Sequence, residues 1–512
     1  MLSIFGGRRP DHPMADINEA RKILGDVPTN DAFRAVEELS HWLDSVRTAE
    51  GFEPQYRAEL VLLIDESAQN PLRKLSRDYL CTPRLSKFQE GRLWGAIHEF
   101  WRQSALAFVA CVDLYASGAK GTNALKPQMP LLTLRALRAL SAQIKWQYVR
   151  YGPMDGSTWA TLARIYAFAD SGQFAQAKAT VYASIPGASS PEQEFLRALM
   201  LSASSPAALL PLEIELAERL VAHYSAAFTL GREHESGIAY WIDLASGYPP
   251  LRLTQPPQPA PTLRFFAAGS AQEELDRLIE NVKVAGMVPV SVNLGGAYEP
   301  EIVLDVLEHL AMYWSPKSPE RQSPRHRVKS RLTVTSGFDG LLAAISPEVA
   351  LDFDDSRIES WIVDNVSSGG FGAVIPQIKG DWLRIGALLG LQPEGGTNWV
   401  IGIIRRLNRG SQQQATVGIQ TLARQPQVLQ LHLESGSLGK SRDTETGILL
   451  DAVGGASAEV SVLLRAGAWV AGQNMEYEHN GSVFLLLPSG VEERGGDYER
   501  VRFRRMVRDT GE

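Results

Sequence analysis

Apolar residues in this chain recur every third or fourth position from residue 14 to about 245, and every second position over much of the stretch beyond residue 330. The first period is that of a helix face and the second that of a half-buried strand. Elements of each kind pack into layers of their own, so the change of period calls for a helical body followed by a sheet body. The 512 residues are enough for this, because a domain takes about 150.

The helical half is read from faces such as Phe33, Val36, Leu39 and Leu43, with similar segments around Tyr56–Ile64, Leu93–Leu114 and Leu131–Tyr151. Trp159, Leu162, Tyr166, Gly172, Ala175 and Pro186 fall near the spacing of a tetratricopeptide helix pair turning at Ser171-Gly172. One such unit cannot bury its own apolar face, so the segment is read either as part of a repeat array or as a hairpin in an irregular bundle. Trp94 and Trp101, seven apart on one helix face, read as core packing.

Six prolines fall in the fourteen residues from Tyr248 to Pro261. Such a run cannot hold a helix and favours extended backbone, which predicts a hinge over 248–261. Beyond it, Leu263–Ala267 and Val288–Leu294 read as strands. Ser270 reads as the cap of a helix burying Leu275, Leu278, Ile279 and Val282, and Glu299–Tyr313 as a second helix. Strand-like runs then follow at Leu332, Ile358, Trp382, Asn398 and Ala415, and further ones between Val428 and Val501. Short strands of this number lose their exposed edges by closing into a barrel.

Between these bodies lies a basic cluster, Arg321, Arg325, Arg327, Lys329 and Arg331, within eleven residues of a chain whose net charge is −7. Composition does not explain it. Guanidinium groups suit phosphate and the O6/N7 edge of guanine. Downstream stands Asn365-Val-Ser367-Ser-Gly-Gly370, a polar turn with a carboxamide, a hydroxyl and a glycine. Together they suggest a site for a small anionic guanine nucleotide.

These residues resemble the PilZ family of bacterial cyclic di-GMP receptors, whose signature is Arg-x-x-x-Arg followed by Asp/Asn-x-Ser-x-x-Gly. Asn365, Ser367 and Gly370 meet the second half. The first half is met twice, by Arg321 and Arg325 and by Arg327 and Arg331; the former pair is preferred because it follows a helix end. The resemblance covers residues 315–425. It implies a C-terminal antiparallel β-barrel of PilZ type, and ligand contacts from Arg321, Arg325, Asn365, Ser367 and Gly370. The gap from Arg325 to Asn365 is long, so Phe338–Ser356 reads as an insertion or an extra strand pair.

The expected architecture is therefore multidomain α + β. It has a helical, repeat-like domain (1–247), a proline-rich linker (248–261) and a small α/β connector (262–318). A PilZ-like barrel (319–425) and a β-rich extension or second barrel (426–512) follow. The expected function is that of a cyclic di-GMP receptor in which the nucleotide alters interdomain packing and the helical domain holds a protein partner. The competing reading is a ligand-independent scaffold with a degenerate barrel.

No catalytic constellation accompanies these features. His98-Glu99 and His234-Glu235 lack a second histidine one turn on, Gly369–Gly372 is not followed by Lys-Ser/Thr, and no nucleophile elbow is present. The chain is expected to be no enzyme and to use no cofactor or metal. The acidic balance argues against nucleic acid as a partner. Cys81 and Cys111 are expected to be buried free thiols of a reducing compartment. No signal-like core follows Arg8 and Arg9, and Asp113 interrupts the most apolar run, Ala105–Ala119, so no membrane span and a cytoplasmic location are expected.

Overall fold

The computed structural model describes residues 10–82, 85–183, 185–317, 325–346, 358–410, 413–433, 444–450, 458–479 and 481–507. The chain divides into two units, Met1–Pro319 and Glu320–Glu512.

In the first unit, α1 (Ile17–Gly25), α2 (Ala32–Thr48), α3 (Pro54–Cys81) and α4 (Lys87–Ala116) lead into α5 (Met129–Val149) and α6 (Gly156–Ser171). Local sequence sets their starts. The Asp31 carboxylate accepts the Arg34 N–H at 3.1 Å, and Ser86 and Gln89 form a reciprocal capping box at α4. Helix α5 buries residues on every side, among them Leu134, Leu137, Leu140 and Trp146, which makes it the central rod of the core. Trp94 leans on it, its indole N–H donating to the Trp146 carbonyl at 2.7 Å.

Four expectations fail in this unit. Helix α6 buries Trp159, Leu162 and Tyr166 as read, but no second tetratricopeptide helix follows. The chain forms a hairpin of β1 (Ala179–Tyr182) and β2 (Ile185–Ser189) before α7 (Pro191–Ala203) and α8 (Pro211–His223). Thr180, Val181 and Tyr182 are β-favouring residues in succession, and Pro186-Gly187 would break a helix.

The proline run is no hinge either. The strands β3 (Thr229–Gly231), β4 (Tyr240–Asp243), β5 (Leu251–Arg252) and β6 (Leu263–Ala267) form one sheet, ordered β3-β6-β4-β5, that spans the run. Its prolines flank the edge strand β5, where a missing N–H costs no ladder bond. Arg252 then ties that edge to the end of α10, donating to the carbonyls of Tyr313 at 2.9 Å and Ser315 at 2.6 Å. Helices α9 (Ala271–Ala285) and α10 (Pro300–Trp314) complete the unit; residues 288–294, expected as a strand, form none. Cys111 is buried, which pushes its thiol up to about 12, but Cys81 at the end of α3 is exposed, contrary to expectation. Among the described residues, no helix is long and apolar enough to cross a membrane.

A cluster of ion pairs joins α5, α7 and α8. Burial by itself would raise the Glu194 carboxyl, but Arg138 and Arg197 hold it down at about 2, against an ordinary 4.5. Against the cost of desolvation, half-buried Glu218 is held at about 2 by Lys145, Arg197 and Arg219. A carboxyl depressed in the folded state stabilises fully above its unfolded value, and that contribution drains away as the pH falls through the folded one. Denaturant titrations should therefore show unfolding free energy dropping between about pH 4.5 and about pH 2. A flat profile across that window would contradict the assignment.

The second unit is two closed antiparallel barrels. The first takes β7 (His326–Ser336), β8 (Glu359–Ser367), β9 (Gly370–Ile375), β10 (Leu388–Pro393), β11 (Val400–Arg409) and β12 (Ala415–Ala423), with α11 (Gly337–Ile345) between β7 and β8. This helix occupies part of the stretch expected as an insertion or strand pair; residues 347–357 lie outside the described ones. The second barrel takes β13 (Gln427–Leu433), β14 (Thr444–Leu449), β15 (Glu459–Arg465), β16 (Met475–His479), β17 (Ser482–Arg494) and β18 (Tyr498–Val507). The first closes as β7-β8-β9-β12-β11-β10 and the second as β13-β14-β15-β18-β17-β16. The connectivity is the same, so the C-terminal β-rich region repeats the barrel rather than extending it.

The barrels share a core in which Phe338, Leu341, Ile401 and Ile403 meet Ile448, Leu463 and Tyr498. Arg405 grips Glu493 through two hydrogen bonds of 2.7 Å, and the Phe338 N–H donates to Asp497 at 2.7 Å. Bidentate guanidinium–carboxylate contacts of this kind fix orientation as well as adding energy.

Candidate functional site

The Asn365 motif lies where β8 turns into β9. Ser367 donates its hydroxyl to the Gly370 carbonyl at 3.3 Å, and β12 holds the turn, the Thr421 N–H donating to the Gly369 carbonyl at 3.0 Å. Arg424, just past β12, donates to the Ser368 carbonyl at 2.8 Å. Gly370 is required here for a structural reason: a Cβ at that position would stand 1.9 Å from the Ile419 carbonyl oxygen. Its role is to let β9 approach β12, and Ser367 is engaged within the turn. Of the three motif residues, Asn365 is the one directed to the barrel surface. Its amide donates to Asp364 at 3.1 Å and its carboxamide lies over Gly372.

Strand register carries the site further than the motif. Arg327 on β7 stands opposite Asn365 on β8; Asn365 stands opposite Gly372 on β9; Gly372 faces Gly418 on β12; and Gly418 faces Arg406 on β11. One transverse row thus crosses five adjacent strands with a guanidinium at each end. The ladder slips beside Arg327, Asn365 and Arg406, and such bulges re-aim side chains. Strands lie ~4.8 Å apart, so the Asn365 and Arg406 backbones stand about 14 Å apart, with the Asn365 carboxamide over Gly372 and no side chain at Gly418. The result is a shallow trough on the outer face of the barrel. Arg327 and Arg406 are exposed and form no ion pair among the described residues. The neighbouring Arg405, in contrast, is committed to Gln420 and Glu493.

The two arginine pairs are separated by this geometry. Arg321 lies outside the described residues, and Arg325 is exposed immediately before β7. Arg327 falls in the Asn365 row, whereas Arg331 stands opposite Ile362, on the order of 10 Å along the strand at ~3.3 Å per residue, with its backbone N–H donating to Glu394 at 3.0 Å. The structure therefore brings Arg325 and Arg327 to the motif and leaves Arg331 further along. Sequence reasoning missed Gly372, Gly418, Arg406 and Arg424. The available signal was glycine inside two strand patterns, which marks close approach of another backbone or a ligand.

Two family models match the chain. The N-terminal domain of the cyclic-di-GMP receptor FimW matches residues 18–235, spanning α1 to β3. The middle PilZ domain of the same receptor matches residues 354–427, which contain β8 to β12 and the Asn365 motif but neither arginine pair. No curated protein matches the chain.

Proposed function

The chain belongs to the PilZ family, with a FimW-type N-terminal domain ahead of its PilZ barrel, and we propose that it is a cyclic di-GMP receptor that takes the nucleotide on the outer face of the β7–β12 barrel. The observation that carries this reading is the row Arg327–Asn365–Gly372–Gly418–Arg406. It offers cations at both ends for two phosphates, a carboxamide over Gly372 for a guanine edge, and at Gly418 a position without a side chain beside which a flat base can lie. Arg321 and Arg325, which precede β7 in sequence, would add further cations for the phosphates. Ser367 and Gly370 keep the turn in place beneath the ligand.

Capture of ligand by Arg321 and Arg325 would restrain the stretch of chain that connects the helical unit to the barrels. That restraint gives the nucleotide a way to bias a protein-binding surface on the helical unit, provided that it favours one arrangement over another. The second barrel has the same connectivity but no arginine pair ahead of β13 and no Asn-x-Ser-x-x-Gly after β14. It serves as the rigid partner that holds Arg405, leaving Arg406 to the ligand.

Gly418→Val tests the trough directly. Valine suits a strand, and the added Cβ meets only the Cβ of Arg406 at 3.3 Å, so the barrel should fold. Cyclic di-GMP affinity measured by calorimetry should fall about tenfold or more, at least ~1.4 kcal/mol. Native affinity in a folded Gly418→Val variant would place the ligand elsewhere.

A further inference from the structure

The helical unit holds a second candidate site that is independent of the barrel. A cleft of about 300 Å³ opens between α3, α5, α7, α8 and the loop at Gly295–Tyr298. Its wall carries six cations, Arg73, Arg77, Arg138, Lys145, Arg197 and Arg219, against three carboxylates, Glu194, Glu215 and Glu218. Six minus three leaves a local charge of +3, in a chain whose total is −7.

The depth of these charges decides what can reach them. Lys145, Arg197 and Arg138 are recessed, with side chains 12%, 17% and 20% exposed, and each is fixed by a carboxylate. Arg73 and Arg77 stand exposed at the mouth and form no ion pair among the described residues. Trp146, also on the wall, is 1% exposed, and its indole N–H has no acceptor among the described residues. The Gly295 backbone closes down on the Arg219 guanidinium, where a Cβ would stand 2.3 Å from Nη1. Cationic excess at the mouth and aromatic sides at Trp101 and Tyr298 define a site for an anion with a flat apolar part.

We infer that this cleft binds a small phosphorylated molecule, with Arg73 and Arg77 as the entering clamp. Its volume is at the low end of ligand sites, about 300–1,000 Å³, and recessed cations favour a compact anion over a peptide strand.

Cys81 gives a local readout, because it lines the cleft and is exposed whereas the other cysteine, Cys111, is buried. Labelling of the full-length chain by a neutral maleimide should slow saturably with inorganic pyrophosphate, about tenfold at ten times Kd. Sodium chloride at matched ionic strength should leave the rate unchanged. In an Arg73→Ala/Arg77→Ala variant the half-protective concentration should rise roughly 100-fold or more, at about tenfold or more per charge-assisted contact. Unchanged labelling with pyrophosphate, or equal protection in the variant, would overturn the inference. So would protection by an oligoglutamate peptide without protection by pyrophosphate, which would make the cleft an acidic-peptide site. None of these outcomes depends on cyclic di-GMP binding to the barrel.

Discussion

An Arg327→Ala/Arg406→Ala variant should bind cyclic di-GMP roughly 10²- to 10⁴-fold more weakly than the native chain, from two charge-assisted contacts of about 1.5–3 kcal/mol each. Both side chains are exposed and make no ion pair among the described residues, so their removal should leave the thermal transition of the barrels in place. Surface substitutions of that kind usually change stability by less than about 0.5 kcal/mol. Single variants locate the clamp more finely. Arg327→Ala removes the cation beside Asn365, whereas Arg325→Ala and Arg321→Ala remove those on the approach to β7. If the two upstream variants keep native affinity and Arg327→Ala does not, the strand residue holds the phosphate alone. If Arg327→Ala and Arg406→Ala are both silent, the trough is not the ligand site.

The largest effect on folding should come from Arg135→Ala, at roughly 3–5 kcal/mol of unfolding free energy, because it strands a buried carboxylate. Asp65 is 1% exposed and Arg135 5%; their side chains meet at 2.6 Å. Ser104 donates to the other Asp65 oxygen at 3.1 Å, and Arg135 reaches Glu66 at 2.8 Å. The guanidinium also lies 4.0 Å from the centre of the Tyr182 ring. This arrangement links α3, α4, α5 and the β1–β2 hairpin in the middle of the helical unit. Urea titration of the variant measures the loss; a change below about 1 kcal/mol would mean that water or a neighbour satisfies Asp65.

The period of the apolar residues made both bodies legible. Val36, Leu39 and Leu43 are inward on α2, and Leu275, Leu278, Ile279 and Val282 are inward on α9. The barrel strands at Leu332, Ile358 and Ala415 stand where alternation placed them. Failures came where local signals competed. The proline run reads as a linker because a sequence does not reveal that β4 and β6 pair across it. The helix pair after α6 failed because small residues near Ala175 fit a helix as well as the approach to a hairpin. At the site, the Asn365 motif was visible because its residues are neighbours in sequence. Gly372, Gly418 and Arg406 become neighbours only through register between β9, β12 and β11. Gly370 reads as a place where backbone approaches a ligand or takes a positive φ; its φ is 158°, and the Ile419 carbonyl leaves no room there for a Cβ.

The most direct measurement is a calorimetric titration of the full-length protein with cyclic di-GMP, alongside GTP as the control. The expected result is saturable heat with cyclic di-GMP, none with GTP at the same concentration, and loss of that heat in the Arg327→Ala/Arg406→Ala variant. No heat with cyclic di-GMP at saturating concentration, or the same isotherm with GTP, would contradict it.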